Sequence, residues 1–258
     1  MNLREAHTDY STGVSRLMIH HAWHLTHHAE DDLISVESAL DDRIGICLLA
    51  LGKRPFELKD TSPWDDLRTQ LADRIEAYAG SKDSTKLEDE CWKIVAPLVT
   101  SRIDQRCEQK LEWKKRPFGC WTFALQGRKT IDLHFANVSR PRSPFKGKTR
   151  ERTANDLLAL LTHAHAEHPK ATRVRCGSWL SCFPPFNELF PEEWAKSYKP
   201  VFKAYNSAGW WGQYEDRRGA LHTQNAQSLR QTGQHPYIHG VSVCTLEDAI
   251  DHLKQIAN

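Results

Sequence analysis

The sequence predicts an α+β fold in which a helical N-terminal region precedes a mixed α/β half with a mostly antiparallel sheet. Apolar residues recur at helical spacing up to about residue 115. The spacing then changes to strict alternation, and segments typical of strands and helices follow one another to residue 258. We therefore expect a helical region over residues 1–115 and an α+β domain over residues 116–258, or one continuous core that contains both.

Composition sets limits on the class of protein. The 258 residues are 40% hydrophobic and 26% charged, which is typical of a globular protein. A net charge of +2 gives no overall field toward DNA or a membrane, and no window approaches a membrane span. The seven cysteines include no CxxC motif, and the first residues lack the apolar core of a signal peptide. These features predict a cytoplasmic protein.

The N-terminal region is expected to contain three helices. The first runs from about Val14 to about Ala50, with N-caps at Ser11 and Thr12 and a possible break near Asp31. Gly52 is expected to end it, because glycine readily adopts the left-handed conformation at a helix C-terminus. The other two helices are expected over residues 61–80 and 84–106.

The α+β half is expected to begin with a hairpin. Alternating apolar residues occupy 118–126 and 129–138, and Gly127-Arg128 forms the turn. The remaining elements are a helix over 153–168, a strand over 172–180, a short helix over 191–197, a strand around 210–214, a strand over 237–244 and a helix over 246–256.

A stripe of histidines marks the first helix. On an α-helix, His20, His24, His27 and Asp31 fall within about 60° of one another. Spacing of four residues suits two imidazole ligands, and a carboxylate could complete a metal site. The alternative is a surface or internally hydrogen-bonded cluster, because neither HExxH nor the paired ExxH of di-iron bundles is present.

His134 is the candidate general base. It lies near the end of a predicted strand that leads into a loop rich in proline and arginine, with Asn137 three residues later. Imidazole transfers protons near neutral pH, so this position is consistent with acid–base catalysis, with Asn137 orienting the attacking group. The alternative is an exposed histidine of an edge strand.

Two further segments are candidate pocket walls. Ser178 and Trp179 follow Gly177 at a predicted strand end, where small residues let a ligand approach closely. This pattern favours a pocket over covalent chemistry, since GxSxG is not present. Trp211 follows another tryptophan, and Gln213 and Arg217 are placed to orient a polar ligand; the alternative is core packing.

The loop over residues 139–152 carries six lysines and arginines in its fourteen residues. Arg140, Arg142 and Lys146 are candidates to hold the phosphates of a donor molecule. The absence of RNP, KH and helix-turn-helix patterns argues against nucleic acid as the partner.

Residues 131–190 resemble the C-terminal half of GNAT-like acyltransferase-related proteins of uncharacterised function. The resemblance depends on the strand Ile131–His134, the helix Asn155–His168, the strand that ends in Cys176-Gly-Ser-Trp-Leu180, and Asn187–Pro191. It implies acyl transfer from acyl-CoA or a similar donor, a base role for His134, and a place in the pocket for Ser178 and Trp179. The family's phosphate-binding pattern, Arg/Gln-x-x-Gly-x-Gly/Ala, has no copy here.

The hypothesis that unites these features is a small-molecule group transferase acting on a polar or amino-bearing substrate. The first alternative is a metal-dependent oxygenase or hydrolase that uses the histidine stripe as its ligands. The second is a non-catalytic binding or regulatory protein. The sequence defines neither the substrate nor the oligomeric state.

Overall fold

The computed structural model describes residues 2–29, 33–201 and 206–256, and the fold is α+β as predicted. The chain forms two compact units. The first comprises Met1–Cys107 and Phe202–Pro236, and the second comprises Glu108–Val201 and Tyr237–Asn258. The boundary predicted near residue 115 lies close to the point after Cys107 where the chain first leaves the first unit. The prediction did not include the return of the chain to the first unit at Phe202–Pro236.

The first unit is helical. Its α-helices are α1 (Leu3–His27), α2 (Val36–Ser38), α3 (Ile46–Leu51), α4 (Ser62–Ala77), α5 (Thr85–Ser101), the first part of α6 (Ile103–Trp113), α10 (Ala208–Trp211) and α11 (Thr223–Thr232). A π-turn at Ala39–Arg43 and 3-10 turns at Pro55–Glu57 and Gly212–Tyr214 connect them. Within the described residues, no helix is both long and apolar enough to cross a membrane.

Helix α1 differs from the prediction at both ends. It begins at Leu3 because Asn2 and Glu5 form a capping box, in which each side chain accepts a hydrogen bond from the other's backbone N–H. The helix expected over Val14–Ala50 is interrupted, close to the possible break near Asp31: α1 ends at His27, and short helices follow from Val36 onward. Gly52 does end α3, with a φ of 79°.

The core of the first unit includes the tryptophan pair. Trp210 and Trp211 are 0% and 1% exposed, so core packing, one of the two interpretations, is what the structure shows. The prediction of a strand around Trp210–Tyr214 is wrong, because these residues form short helical turns. Adjacent strand residues point to opposite faces, whereas a helical turn directs both indoles into one core.

The second unit contains the five-stranded sheet. Its strands are β1 (Trp121–Gln126), β2 (Thr130–Phe135), β3 (Arg173–Ser178), β4 (Lys199–Pro200) and β5 (Gly240–Thr245), in the spatial order β1-β2-β3-β5-β4. The β2–β3 pair is parallel and the other three pairs are antiparallel. Its helices are the end of α6, α7 (Gly147–Glu167), α8 (Pro184–Asn187), α9 (Glu192–Lys196) and α12 (Leu246–Ile256).

Helices α7 and α12 pack on one face of this sheet. Their apolar residues, among them Leu157, Leu161 and Leu253, share a core with Ile131 and Val174 of the strands. Helix α7 starts six residues earlier than predicted, so part of the expected basic loop forms its first turns. The opposite sheet face, here called the polar face, carries the alternate residues Thr122, Ala124, Asp132, His134, Arg175, Gly177, Val241 and Val243.

Candidate functional site

The parallel strands β2 and β3 separate toward their carboxyl ends. Their ladder consists of three residue pairs and ends with Asp132 opposite Arg175. Both strands continue for three residues, β2 paired only with β1 and β3 paired only with β5. The space between residues 133–135 and residues 176–178, here called the strand gap, is therefore bordered by backbone edges that do not pair with each other.

An ion pair lies at the start of the strand gap. The Arg175 Nη1 atom donates to the Asp132 Oδ2 atom at 2.9 Å, and both side chains are partly buried. Because the two residues are cross-strand partners, the pair joins β2 and β3 at the last rung of their ladder.

His134 lies two residues beyond Asp132, on the same polar face, and is exposed. Gly177 lies two residues beyond Arg175, and a Cβ atom there would lie 3.6 Å from the Nε2 atom of His239. Burial and, to a smaller extent, the positive charge of Arg175 lower the pKa of His239 to about 4. His239 is therefore neutral at physiological pH.

Aromatic residues follow the strands around the gap. The ring of Trp179 packs on that of Tyr237 with centroids 5.4 Å apart, and Phe183 contacts the same tyrosine at 6.1 Å. Phe135, the last residue of β2, stacks on Phe145 at 5.3 Å. Trp179, Tyr237, Phe183 and Phe135 are only partly buried, so the segments that follow β2 and β3 offer apolar surface.

Three predicted site residues make local hydrogen bonds. Ser178 accepts from the N–H of Leu180 at 3.1 Å and caps the turn that contains Trp179. Asn137 accepts from the N–H of Ser139 at 3.0 Å, and the Arg140 Nε atom donates to the Asn137 carbonyl at 3.2 Å. Asn137 and Arg140 thus shape the loop after β2, and Ser178 shapes the turn after β3.

The N-terminus of α7 is open and positively charged. Arg142 and Lys146 are exposed, and Lys146, the N-cap residue, makes no capping hydrogen bond with its side chain. The first turn has no acidic residue, and Gly147 has a φ of 51°. A 21-residue helix that begins in this way presents unpaired N–H donors and the positive end of its dipole.

Trp211, Gln213 and Arg217 belong to the first unit, whereas the strand gap belongs to the second. Gln213 is 2% exposed and donates to the Trp210 carbonyl at 3.3 Å. Trp211 is a core residue, and Arg217 is exposed. The pocket role of Gln213 and Arg217 stays a prediction, and Trp211 packs in the core.

His20 of the histidine stripe belongs to a buried polar network in the first unit. The Nδ1 atom of His20 lies 2.7 Å from the Ser84 hydroxyl, which donates to Glu88 at 2.9 Å. All three residues are at most 5% exposed. Burial and then the charge of Arg230 lower the pKa of His20 to about 4, so its imidazole is neutral.

The other members of the stripe have separate surroundings. His24 lies against Gly233, and the His27 Nε2 atom is 3.9 Å from a carboxylate oxygen of Glu76. Asp31 falls outside the described residues. Within the described part of the chain, no group of three or more histidine, cysteine or acidic side chains is arranged to hold a metal ion.

Asp132, Arg175 and His239 were not among the predicted site residues. Asp132 and Arg175 are 43 positions apart in sequence, and only the parallel register of β2 and β3 brings them together. The one available signal was alternation, which places Asp132 and His134 on the same face of a strand.

The chain matches no protein-family model, no curated protein and no solved structure.

Proposed function

We propose that the second unit is a small-molecule group transferase that takes an acyl group from a phosphate-bearing thioester such as acyl-CoA. The observation that carries this proposal is that the carboxyl end of β2 borders the strand gap and continues through the loop over residues 136–146 to the N-terminus of α7, where Lys146 makes no side-chain cap. Crevices at the carboxyl ends of parallel strands are common ligand sites in α/β sheets.

The donor's phosphates fit the start of α7. Free N–H groups and the helix dipole bind anions, and Arg142 and Lys146 add two exposed cations beside them. Asn137 and Arg140 hold the preceding loop through their own hydrogen bonds. The unpaired backbone edges of the strand gap supply donors and acceptors for the extended part of the same molecule.

His134 is the general base in this proposal. It takes the proton that the acceptor's amine or hydroxyl loses as that group attacks the thioester carbonyl. The carbon–sulfur bond breaks, and the released thiolate receives a proton. His134 suits this task because it is exposed on the polar face beside the strand gap.

Calorimetric titration with coenzyme A and acetyl-CoA tests the donor site. The double variant Arg142→Glu, Lys146→Glu should weaken binding by about tenfold or more, because charge-assisted hydrogen bonds to phosphate are lost. Lys170→Glu is the matched control, since it reverses an exposed charge beyond the other end of α7. Equal affinity for the double variant and the wild type, or no binding to the wild type, would overturn the proposal.

A further inference from the structure

We propose that a second cavity, here called the α7 cavity, binds a small 2-hydroxycarboxylate anion of the size of lactate. The cavity lies in the second unit and has a volume of about 190 Å³. This volume is ample for a molecule of about six non-hydrogen atoms, since one water molecule takes up about 30 Å³ in the liquid. None of its lining residues belongs to the strand gap. The proposal therefore goes beyond the transferase function and does not depend on it.

Three segments of the second unit come together around the α7 cavity. Gly119 and Cys120 directly precede β1, Val138 and Ser139 follow β2, and Arg152 and Asp156 lie one turn apart on α7. The cavity thus combines a carboxylate, a guanidinium, a hydroxyl and a thiol, and such a mixture of polar and apolar groups is typical of a site for a small polar molecule.

The carboxylate of Asp156 is the hydrogen-bond acceptor of the cavity. It lies against Gly119, which has a φ of 57°, and a Cβ atom at Gly119 would overlap the Oδ2 atom of Asp156. The Asp156 side chain is 26% exposed. Burial raises the pKa of Asp156, and the charge of Arg152 opposes this effect in part. A carboxylate that has lost part of its water is stabilised by a ligand hydroxyl that donates to it.

Two cations supply positive charge. The Nε atom of Arg152 lies 3.8 Å from the Oδ2 atom of Asp156, which is too far for a hydrogen bond, so the guanidinium can still donate to a ligand. Lys114, an exposed residue that follows α6, also lines the cavity. The two cations and the one carboxylate sum to a charge of about +1, which favours a monoanion over a zwitterion or a cation.

The spacing of the charged groups defines the ligand. A ligand that contacts both Arg152 and Asp156 needs its carboxylate and its hydroxyl on neighbouring carbon atoms, because the two side chains are only 3.8 Å apart. The Ser139 hydroxyl makes a long contact of 3.9 Å with the Cys120 Sγ atom and can donate to the same ligand. Burial raises the pKa of Cys120, so its thiol stays uncharged and, with Val138, offers apolar contact to a small alkyl group.

Lactate, propionate and alanine test the proposal, because they share one carbon skeleton and differ in a single group, which is a hydroxyl, a hydrogen or an ammonium. NMR titration of the full chain at neutral pH, without an acyl donor, measures the three dissociation constants. We expect lactate to bind at least about tenfold more tightly than propionate or alanine. Equal affinity for propionate, tighter binding of alanine, or no binding of lactate would overturn the proposal.

Two variants assign the contacts. Arg152→Gln should weaken the binding of lactate and of propionate alike, by about tenfold, because both carboxylates lose a charged donor. Asp156→Ala should abolish the preference for lactate, while propionate binds at least as tightly as it does to the wild type, because a negative charge has been removed.

Arg128→Gln is the control for Arg152→Gln, since Arg128 is an exposed arginine in the turn at the other end of β1. Its affinity for lactate should equal that of the wild type. An unchanged affinity in Arg152→Gln, or a retained preference for lactate in Asp156→Ala, would refute the proposal. Loss of propionate binding in Asp156→Ala would show that the carboxylate only supports the structure, and the proposal would fail.

Discussion

Glu88 and Arg230 form a bidentate ion pair inside the first unit. The guanidinium donates to the carboxylate through Nε at 3.1 Å and through Nη2 at 2.6 Å, and the Glu88 side chain is only 6% exposed. Glu88 also accepts the hydroxyl hydrogen of Ser84, so α5 and α11 are joined through one buried carboxylate that is connected to His20 of α1.

Removing Arg230 should destabilise the first unit strongly. Arg230→Ala leaves the buried carboxylate without its cation, and we expect a loss of about 3 kcal/mol in the free energy of unfolding. This value is at the low end for a broken buried pair, because Arg230 keeps about a third of its side chain in water. Urea denaturation measures the change. The double variant Glu88→Gln, Arg230→Met should recover stability, and a double variant less stable than Arg230→Ala would contradict this account.

The same network makes stability depend on pH. The pKa of His20 is lowered from 6.5 to about 4 in the folded protein, chiefly by burial. The unfolded chain therefore binds more protons between these values, and stability falls as the pH falls from about 6.5 toward 4. The full loss attributable to His20 is about 3 kcal/mol.

Unfolding at neutral pH and at about pH 4.5 tests this dependence. His20→Asn keeps a donor near Ser84 without a titrating group, so its stability should change less over that interval than that of the wild type. A variant with the same pH dependence as the wild type would show that other groups, such as His235, are responsible. Burial lowers the pKa of His235 to about 3.

Gly233 should be among the glycines least tolerant of substitution. It ends α11 with a φ of 67°, and an added Cβ atom would overlap the imidazole of His24. Gly233→Ala combines backbone strain with a steric clash, and we expect a loss of more than about 2 kcal/mol. Gly127→Ala is the control, since Gly127 has a φ of 63° and open space around it. Gly127→Ala should lose only the free energy of the backbone strain, about 1–2 kcal/mol. Equal losses of stability in the two variants would show that the clash with His24 contributes nothing.

His134→Ala should reduce transfer activity by about 10²–10⁴-fold if His134 is the general base. Donor binding should be unchanged, because His134 is not among the phosphate-binding groups. The measurement is the turnover number with acetyl-CoA and 1,4-diaminobutane. His165→Ala, an exposed histidine of α7, serves as the control. A turnover number of His134→Ala within a few-fold of the wild type would show that His134 is not the general base.

Much of the fold could be predicted where local chemistry determines it. The hairpin around Gly127, the end of α3 at Gly52 and helix α12 follow from turn residues and periodicity. The prediction failed where local signals compete. The first turns of α7 are basic and contain Gly147, a composition that is typical of loops. The tryptophans at 210–211 lie in a helical turn, although their sequence was interpreted as a strand.

The candidate site was predictable only in part. His134 and the cations Arg142 and Lys146 have residue types that suggest chemistry by themselves. The partnership of Asp132 with Arg175 depends on the register between two strands that are separated by α7, and no short segment encodes that register. The buried surroundings of His20 likewise depend on Ser84 and Arg230, which are distant in the sequence.

The interleaved path of the chain has a consequence for biosynthesis. Helices α10 and α11, which complete the first unit, are translated only after β1–β3. Strand β5 lies between β3 and β4 in the sheet although it is made after both. A ribosome that has passed residue 201 has therefore finished neither unit. Both acquire their closing elements from residues 202–258, so a nascent chain must keep two partly built cores from aggregating until those residues have been made.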